Sequence, residues 1–494
     1  VVKNPTSGAQ DTLPIGWLST MESMSSHRSP SPDPLALDQP WARTAAGANT
    51  LGFETSSSTP PSTPAVMPTI YERTTAAAIA HDAVNLGQGF PDTEGPDWLL
   101  QLAARAITEP ETGPRNQYAP GMGLPTLREA ISDAQARRQG VELDPATQVM
   151  VTTGATEGIS ATILAFARPG SEVLTFEPHY DSYGACAALA GARLVGVALR
   201  GPEFRPDLDA FEAAITERTS MILLNTPHNP TGTVFSTEEL TRIVALAVKH
   251  DLRIMCDEVY EHLVLSDARL PHRSILTIPG AEEVAVAVGS AGKSFSVTGW
   301  KVGWVTGSAE LVSQVRGVKQ FLSFSSGPAF QWAVGHGLQD DQGFFAQNTA
   351  ELEAGRDLLR AGLEELGLAP NRAEAGYFVL GNVSGITSLS AAQFCRVLAE
   401  EVGVAAIPVS ALTIQHRANP SDELEHLVRF AFCKDHATIE EGLRRMREHL
   451  PAALASHPPA DARPANARPA TARPASAAPV TAPETLAPAS TGTP

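Results

Sequence analysis

Met221-Ile222-Leu223-Leu224-Asn225 leads into the loop Thr226-Pro227-His228-Asn229-Pro230-Thr231-Gly232-Thr233, then a segment from Thr237 to His250, then Arg253-Ile254-Met255-Cys256. The two apolar runs lack polar alternation and are short, as in strands buried on both faces. The segment between them carries apolar residues at helical spacing and follows Ser236, a residue type suited to capping a helix start. Strand, helix, strand in this order is the repeating unit of an α/β fold with parallel strands.

The alternation extends to both sides of this unit. Val149 to Thr152, Glu172 to Phe176, Arg193 to Ala198, Val284 to Val288 and Gly303 to Thr306 read as further strands, and Glu157 to Phe166, after Thr156, as a further helix. Beyond about Gly337 the pattern shifts to longer helices, notably Asn348 to Leu366, and to shorter strands around Gly376 to Gly381 and Leu427 to Phe432. The expected organisation is a Ser/Pro-rich extension over 1–66, an arm and part of a small domain over 67–114, and a large domain over 115–336. A smaller domain over 337–450 and a Pro/Ala/Arg tail over 451–494 complete it. Both ends lack an apolar period. Ser56-Ser57-Ser58-Thr59-Pro60-Pro61 marks one, and the repeated unit Ala462-Arg463-Pro464-Ala465, Ala467-Arg468-Pro469-Ala470, Ala472-Arg473-Pro474-Ala475 marks the other, so both are expected to be disordered. Met67 is an alternative translation start.

The 494 residues suffice for a large core without disulfide or metal staples. A formal charge of -18 opposes a polyanionic surface, which excludes nucleic acid as the expected partner. No run reaches the roughly 20 apolar residues that span a bilayer, and no basic segment leads into an apolar one near the start, so neither a membrane nor a secretory destination is expected. Cys186, Cys256, Cys395 and Cys433 lie far apart without a CxxC pair or a His cluster. That spacing suggests neither a metal site nor a disulfide framework, and fits a reducing cytoplasm.

Three local motifs carry chemistry only when taken together. In Ser290-Ala291-Gly292-Lys293-Ser294-Phe295, a lone lysine sits among small residues after an apolar strand. Small neighbours let a phosphate approach backbone amides, and a lysine held in a cleft beside other cations loses its proton more readily. In Met255-Cys256-Asp257-Glu258-Val259-Tyr260, acidic residues close a buried strand, where open α/β sheets gather ligand-binding groups. The third motif is the Asn225 to Thr233 loop. Singly, these are a turn lysine, a strand-end acid and an ordinary Asn/Pro/Gly turn.

In this order and completeness, the segments resemble the class I and II aminotransferases, over about Asn85 to Arg445. The chain is most similar to the kynurenine and glutamine transaminases and the bacterial succinyldiaminopimelate and methionine aminotransferases, through Asn85-Leu86-Gly87-Gln88-Gly89-Phe90-Pro91-Asp92, Asn116-Gln117-Tyr118 and Glu177-Pro178-His179-Tyr180-Asp181-Ser182-Tyr183. The resemblance implies a fold-type I transferase using pyridoxal 5'-phosphate: a large domain with a mostly parallel central sheet plus a smaller α+β domain.

It implies Lys293 as the Schiff-base lysine and proton shuttle, Asp257 as partner of the pyridine nitrogen, Asn229 and Tyr260 as donors to the ring oxygen, and Tyr180 stacked on the ring. Gly154-Ala155-Thr156, Ser290 and Lys301 would cradle the phosphate. Tyr118 would reach the phosphate of a neighbouring subunit in a homodimer with shared active sites. Arg429 would grip the substrate carboxylate, Asn229 would also contact the substrate, and Gly89 would let the backbone approach it. The activity implied is ping-pong transfer of an amino group from an L-amino acid to a 2-oxo acid. Lys301 stands where aspartate aminotransferases have arginine, which points to the kynurenine-transaminase type. A C-S β-lyase on the same scaffold is the alternative. A transcriptional regulator reusing the fold would need a basic helix-turn-helix ahead of it, whereas residues 1–65 are Ser/Pro-rich.

Overall fold

The structure, a computed structural model, describes residues 68–109, 116–414, 417–419 and 422–458. The expectations for 1–66 and for Met67, and the repeat-bearing part of the tail, lie outside these residues. The strands in chain order are β1 (Val84–Asn85), β2 (Val149–Thr153), β3 (Glu172–Glu177), β4 (Arg193–Ala198), β5 (Thr219–Asn225), β6 (Arg253–Asp257), β7 (Ala285–Ser290), β8 (Val302–Gly307), β9 (Phe378–Asn382), β10 (Val404–Ala405), β11 (Ile407–Pro408), β12 (Arg417–Asn419) and β13 (Leu427–Ala431).

Eight of them form one sheet in the order β12-β4-β3-β5-β6-β7-β8-β2. All neighbours pair parallel except β8, which runs antiparallel to both β7 and β2. The apolar runs are continuous because both faces are covered. Met221, Leu223 and Met255 face one cluster with Ile159 and Ile163, while Ile222, Leu224, Ile254 and Cys256 face another with Leu240 and Ile243. The helix after β5 spans Thr237–Lys249, and Ser236 caps it in a reciprocal pair with Glu239.

Two helices start earlier than the sequence suggests. The helix after β2 spans Gly154–Phe166, because Gly154 enters it at φ 75°, a conformation glycine adopts without penalty. The long helix spans Phe344–Glu365. Helix Pro328–Gln339 runs through the expected boundary at 336/337, so the change of pattern falls after Gln339. The expected tail boundary at 451 is also corrected. Helix His436–Ala453 passes it, and the His457 carbonyl accepts hydrogen bonds from the Thr387 hydroxyl at 2.8 Å and the Ser388 amide at 3.3 Å. The described part of 67–114, residues 68–109, divides: β1 pairs with β10, whereas Leu99 and Ala103 of helix Asp97–Thr108 pack with Leu127, Val149 and Trp304 beside the large sheet.

A second sheet, β11-β13-β9, is antiparallel, and its core joins Leu352, Leu359, Phe394, Phe430 and Met446. The reversed β8 sets Ser290 opposite Gly303 and Thr153 opposite Val302. The ends of β7 and β2 and the start of β8 therefore meet at one edge. A Cβ on Gly303 would lie 2.6 Å from both the Ala155 nitrogen and the Gly154 carbonyl carbon, so the helix start rests directly on this strand. Gly303→Ala is expected to lower the unfolding free energy by about 1–3 kcal/mol; urea unfolding indistinguishable from wild type would show the contact to be dispensable.

Candidate active site

At that edge lies a cleft of about 320 Å³ between the two sheets. Gly89, Ala155, Thr156, Tyr180, Asn229, Asp257, Tyr260, Ser290, Lys293, Lys301 and Arg429 all line it. Tyr118 does not: it is 83% exposed and meets only Phe324 edge-on among aromatic rings.

Asp257 ends β6 at 3% exposure. Its Oδ2 accepts a 2.6 Å hydrogen bond from the Tyr183 hydroxyl, and its Oδ1 one of 3.3 Å from the Val259 amide. Burial pushes its pKa up to about 6, against the opposing pull of Tyr183, the Val259 amide and the Lys293 charge. Asn225 braces the same strand end from the side. Its amide donates to the Asp257 carbonyl at 2.9 Å, and its oxygen accepts from the Asn229 amide at 2.7 Å.

Lys293 sits in the helical turn Ala291–Ser294, one turn after β7. Its Nζ approaches the Gly89 carbonyl at 3.4 Å and lies 5.4 Å from the Tyr377 ring centre and 5.9 Å from that of Tyr260. Burial lowers its pKa, helped by the Arg429 and Lys301 charges and opposed by Cys433 and Asp257. A lowered pKa makes a lysine a better nucleophile at neutral pH.

The start of helix Gly154–Phe166 has no side-chain cap, so its first-turn amides point into the cleft with the positive end of the helix dipole. A Cβ on Gly154 would lie 3.1 Å from the Lys301 Nζ, which places that ammonium directly over the helix start. Amides, an ammonium and the Ser290 hydroxyl together suit a phosphate dianion.

Arg429, from the middle of β13, is 1% exposed. Its guanidinium carbon lies 3.9 Å from the Phe378 ring centre and 5.3 Å from that of Tyr71. One Nη donates to the Gly87 carbonyl at 2.8 Å and the other approaches the Asn229 oxygen at 3.4 Å, while the buried Nε has no hydrogen-bond partner among the described residues. No carboxylate among the described residues pairs with it. A cation buried without a counter-charge is costly unless a ligand supplies one. The residues therefore fit an anionic phosphate at one end of the cleft, a protonated ring nitrogen at Asp257 and a carboxylate at Arg429.

The family described as aminotransferase class I and II matches residues 81–446. The chain belongs to the class I and II aminotransferases. It is 44% identical over 383 residues to a probable N-succinyldiaminopimelate aminotransferase, DapC, of Mycobacterium tuberculosis (strain ATCC 25618 / H37Rv), covering 76% of this chain and 95% of the relative. It is 34% identical over 395 residues to kynurenine--oxoglutarate transaminase 1 of Mus musculus, covering 74% and 92%. The crystal structure of YbdL from Escherichia coli, described by a methionine aminotransferase function, superposes with a TM-score of 0.72 at 36% identity, covering 79% of this chain and all of that one.

Members of this family use pyridoxal phosphate, and this aminotransferase is an enzyme of amino-group transfer between amino acids and 2-oxo acids. The expected fold type and subgroup hold. Relatives named as aminotransferases do not favour the C-S lyase alternative.

Sequence reasoning gave no role to Tyr183, Asn225, Tyr71 or Phe378. Tyr183 and Asn225 stood inside quoted motifs, but their partners lie 74 and 32 residues away. No local pattern marks Tyr71 or Phe378.

Asp257 carries a folded pKa of about 6 against 3.8 for an ordinary aspartate. Its contribution to stability is therefore full below about pH 4 and is lost as pH rises through about 6. Cofactor-free Asp257→Asn is expected to exceed wild type in stability at pH 8 by up to about 3 kcal/mol, the gap closing toward pH 4. Denaturant unfolding at the two pH values measures it, and a gap that widens toward acid would contradict the assignment.

Proposed function

We propose that this aminotransferase takes amino donors whose side chain is neutral near Cβ, with Lys293 moving the proton and Arg429 holding the α-carboxylate. The buried Nε of Arg429, lacking a partner, carries this reading. The charged residues lining the cleft are Asp257, Lys293, Lys301 and Arg429. With the first three assigned to the cofactor and Arg429 to the α-carboxylate, no cation is left for a second carboxylate close to the reacting carbon. Tyr71, Phe90 and Phe378 line the remaining wall.

When bound, pyridoxal phosphate supplies an aldehyde that condenses with amines and a ring that accepts electron density from Cα. The residues of this chain do the rest. Ala155 and Thr156 amides, Ser290 and Lys301 would hold the phosphate; Tyr180 would cover the ring face; Asn229 and Tyr260 would donate to the ring oxygen. Asp257, aimed by Tyr183, keeps a proton on the ring nitrogen. Arg429 would fix the orientation of the Cα–H bond, and the Lys293 amine would take the Cα proton and deliver it to the cofactor carbon on the other side of the substrate nitrogen. A 2-oxo acid then reverses the sequence, giving ping-pong kinetics.

The same reading makes the enzyme a cytoplasmic homodimer, with residues 116–339 acting as the large domain and the chain from helix Phe344–Glu365 to His457 as the small one. All four cysteines are buried and free, which suits a reducing compartment. Tyr118, Phe321, Leu322 and Phe324 are all large and exposed, and Ser323 among them contacts Thr153 at 2.9 Å, beside the phosphate end of the cleft. An apolar patch there suits a second copy of the chain, whose site Tyr118 would complete. Tyr118→Phe is expected to weaken pyridoxal phosphate binding about 10-fold, the loss of one hydrogen bond to a charged group; equilibrium dialysis showing unchanged affinity would remove Tyr118 from the site.

A donor panel tests the substrate reading. Methionine and kynurenine are expected to discharge the visible absorbance of the bound cofactor with at least about 10-fold higher kcat/KM than aspartate, the equivalent of one missing ion pair. Preference for aspartate or glutamate would overturn it. The 44% identity to DapC favours a second reading, N-succinyldiaminopimelate as donor; turnover of that compound alone would establish it.

A further inference from the structure

Behind the cleft, one hydrogen bond ties together the two segments that carry the chemistry. His262 lies two residues after Tyr260 and five after Asp257; Ser294 follows Lys293 directly. The His262 Nδ1 and the Ser294 Oγ are 2.7 Å apart, and both residues are buried, at 8% and 1% exposure. The Ser294 hydroxyl donates its only proton to the Ser290 carbonyl at 3.0 Å. Its oxygen therefore acts as acceptor toward His262, and the ring proton sits on Nδ1.

The ring is held in place for this task. Phe345 stacks on it at 4.3 Å and 16°, and the Thr349 hydroxyl reaches the His262 carbonyl at 3.3 Å. Both come from the helix Phe344–Glu365. Burial, with Arg138 and His272 nearby, keeps the imidazole neutral, its pKa pushed down to about 3. A neutral ring has a single N–H, and the opposite nitrogen Nε2 has no partner among the described residues. The one donor is thus committed to Ser294. The turn has a second anchor in the Tyr377 hydroxyl, which donates to the Lys293 carbonyl at 3.1 Å.

We propose that His262 is a positioning residue for Lys293. Through Ser294 it fixes the distance between the strand end bearing Asp257 and Tyr260 and the turn bearing Ser290 and Lys293. The inference rests on the role given to Lys293 above. Nothing in the mechanism calls on His262 to touch substrate or cofactor; it acts through the turn.

The experiment uses the cofactor-loaded enzyme and reads the pH midpoint of its visible absorbance, together with kcat and KM. His262→Ala and Ser294→Ala are each expected to move that midpoint by about half a pH unit or more. Each should also lower kcat on the order of 10-fold with KM within about 2-fold, the mark of misplacement rather than lost binding. The double variant should be no worse than the worse single one. His262→Asn, whose side-chain amide can place an N–H near the Nδ1 position, should recover most of the kcat and the midpoint, and His262→Gln should not. A lower melting temperature with unchanged midpoint and kcat would overturn the proposal, as would Asn performing no better than Ala. If His262→Ala does not fold, Ser294→Ala decides alone, and an unchanged midpoint overturns it. Lys293→Ala separates the two levels of argument: if it keeps turnover, the assignment of Lys293 fails before the question of His262 arises.

Discussion

A carboxylate held out of water at the end of β6 is the constraint on which the cleft depends. Asp257 at 3% exposure would be far more stable protonated or paired, and burial already pulls its pKa up to about 6. The fold keeps it in place with a phenol, a backbone amide and the bracing side chain of Asn225, and it faces the cation of Lys293. These are partial compensations. A cationic ring nitrogen would complete them, so the site is unfavourable alone and favourable with its cofactor, which is how a protein binds one group and rejects neutral look-alikes.

The same logic repeats on the second sheet. Arg429 rises from β13 of the second sheet, clamped between the Phe378 and Tyr71 rings, with hydrogen bonds to the Gly87 carbonyl and, more weakly, to Asn229. Aromatic faces stabilise a guanidinium without neutralising it. The charge stays available for a carboxylate, and the planar group is kept at one orientation by its flanking rings. Opposite unmet charges on two sheets give the cleft its polarity, and Asn229, within reach of both Asn225 and Arg429, lies where they meet.

Much of this was legible in the sequence because it is local. The apolar runs gave seven of the eight strands of the large sheet to within about two residues, missing the edge strand β12, and the strand-end positions of Asp257 and Lys293 followed from the same runs. Helix starts were less legible: Gly154 opens its helix through a left-handed φ, which composition does not announce. The direction of β8 left no trace in its pattern, since a buried strand looks alike either way round. Tyr183, Asn225 and His262 acquire their meaning from partners 74, 32 and 32 residues away, and only the fold brings those together. Lys301 and Tyr118 are a different case. Lys301 lines the cleft while remaining exposed, and Tyr118 is exposed outside it, so burial marks neither of them.

The reversed strand also bears on how such a sheet can change over evolutionary time. Parallel βα units are interchangeable modules in principle, since each delivers its loop to the same edge. β8 is not: a six-residue strand entered from the other end would deliver Lys301 roughly 20 Å away, at the far edge of the sheet. Recombination that swapped in an ordinary parallel unit at this place would keep the core and lose the anion site. The β7-β8-β2 corner is therefore a unit that such an exchange cannot replace piecemeal without moving Lys301.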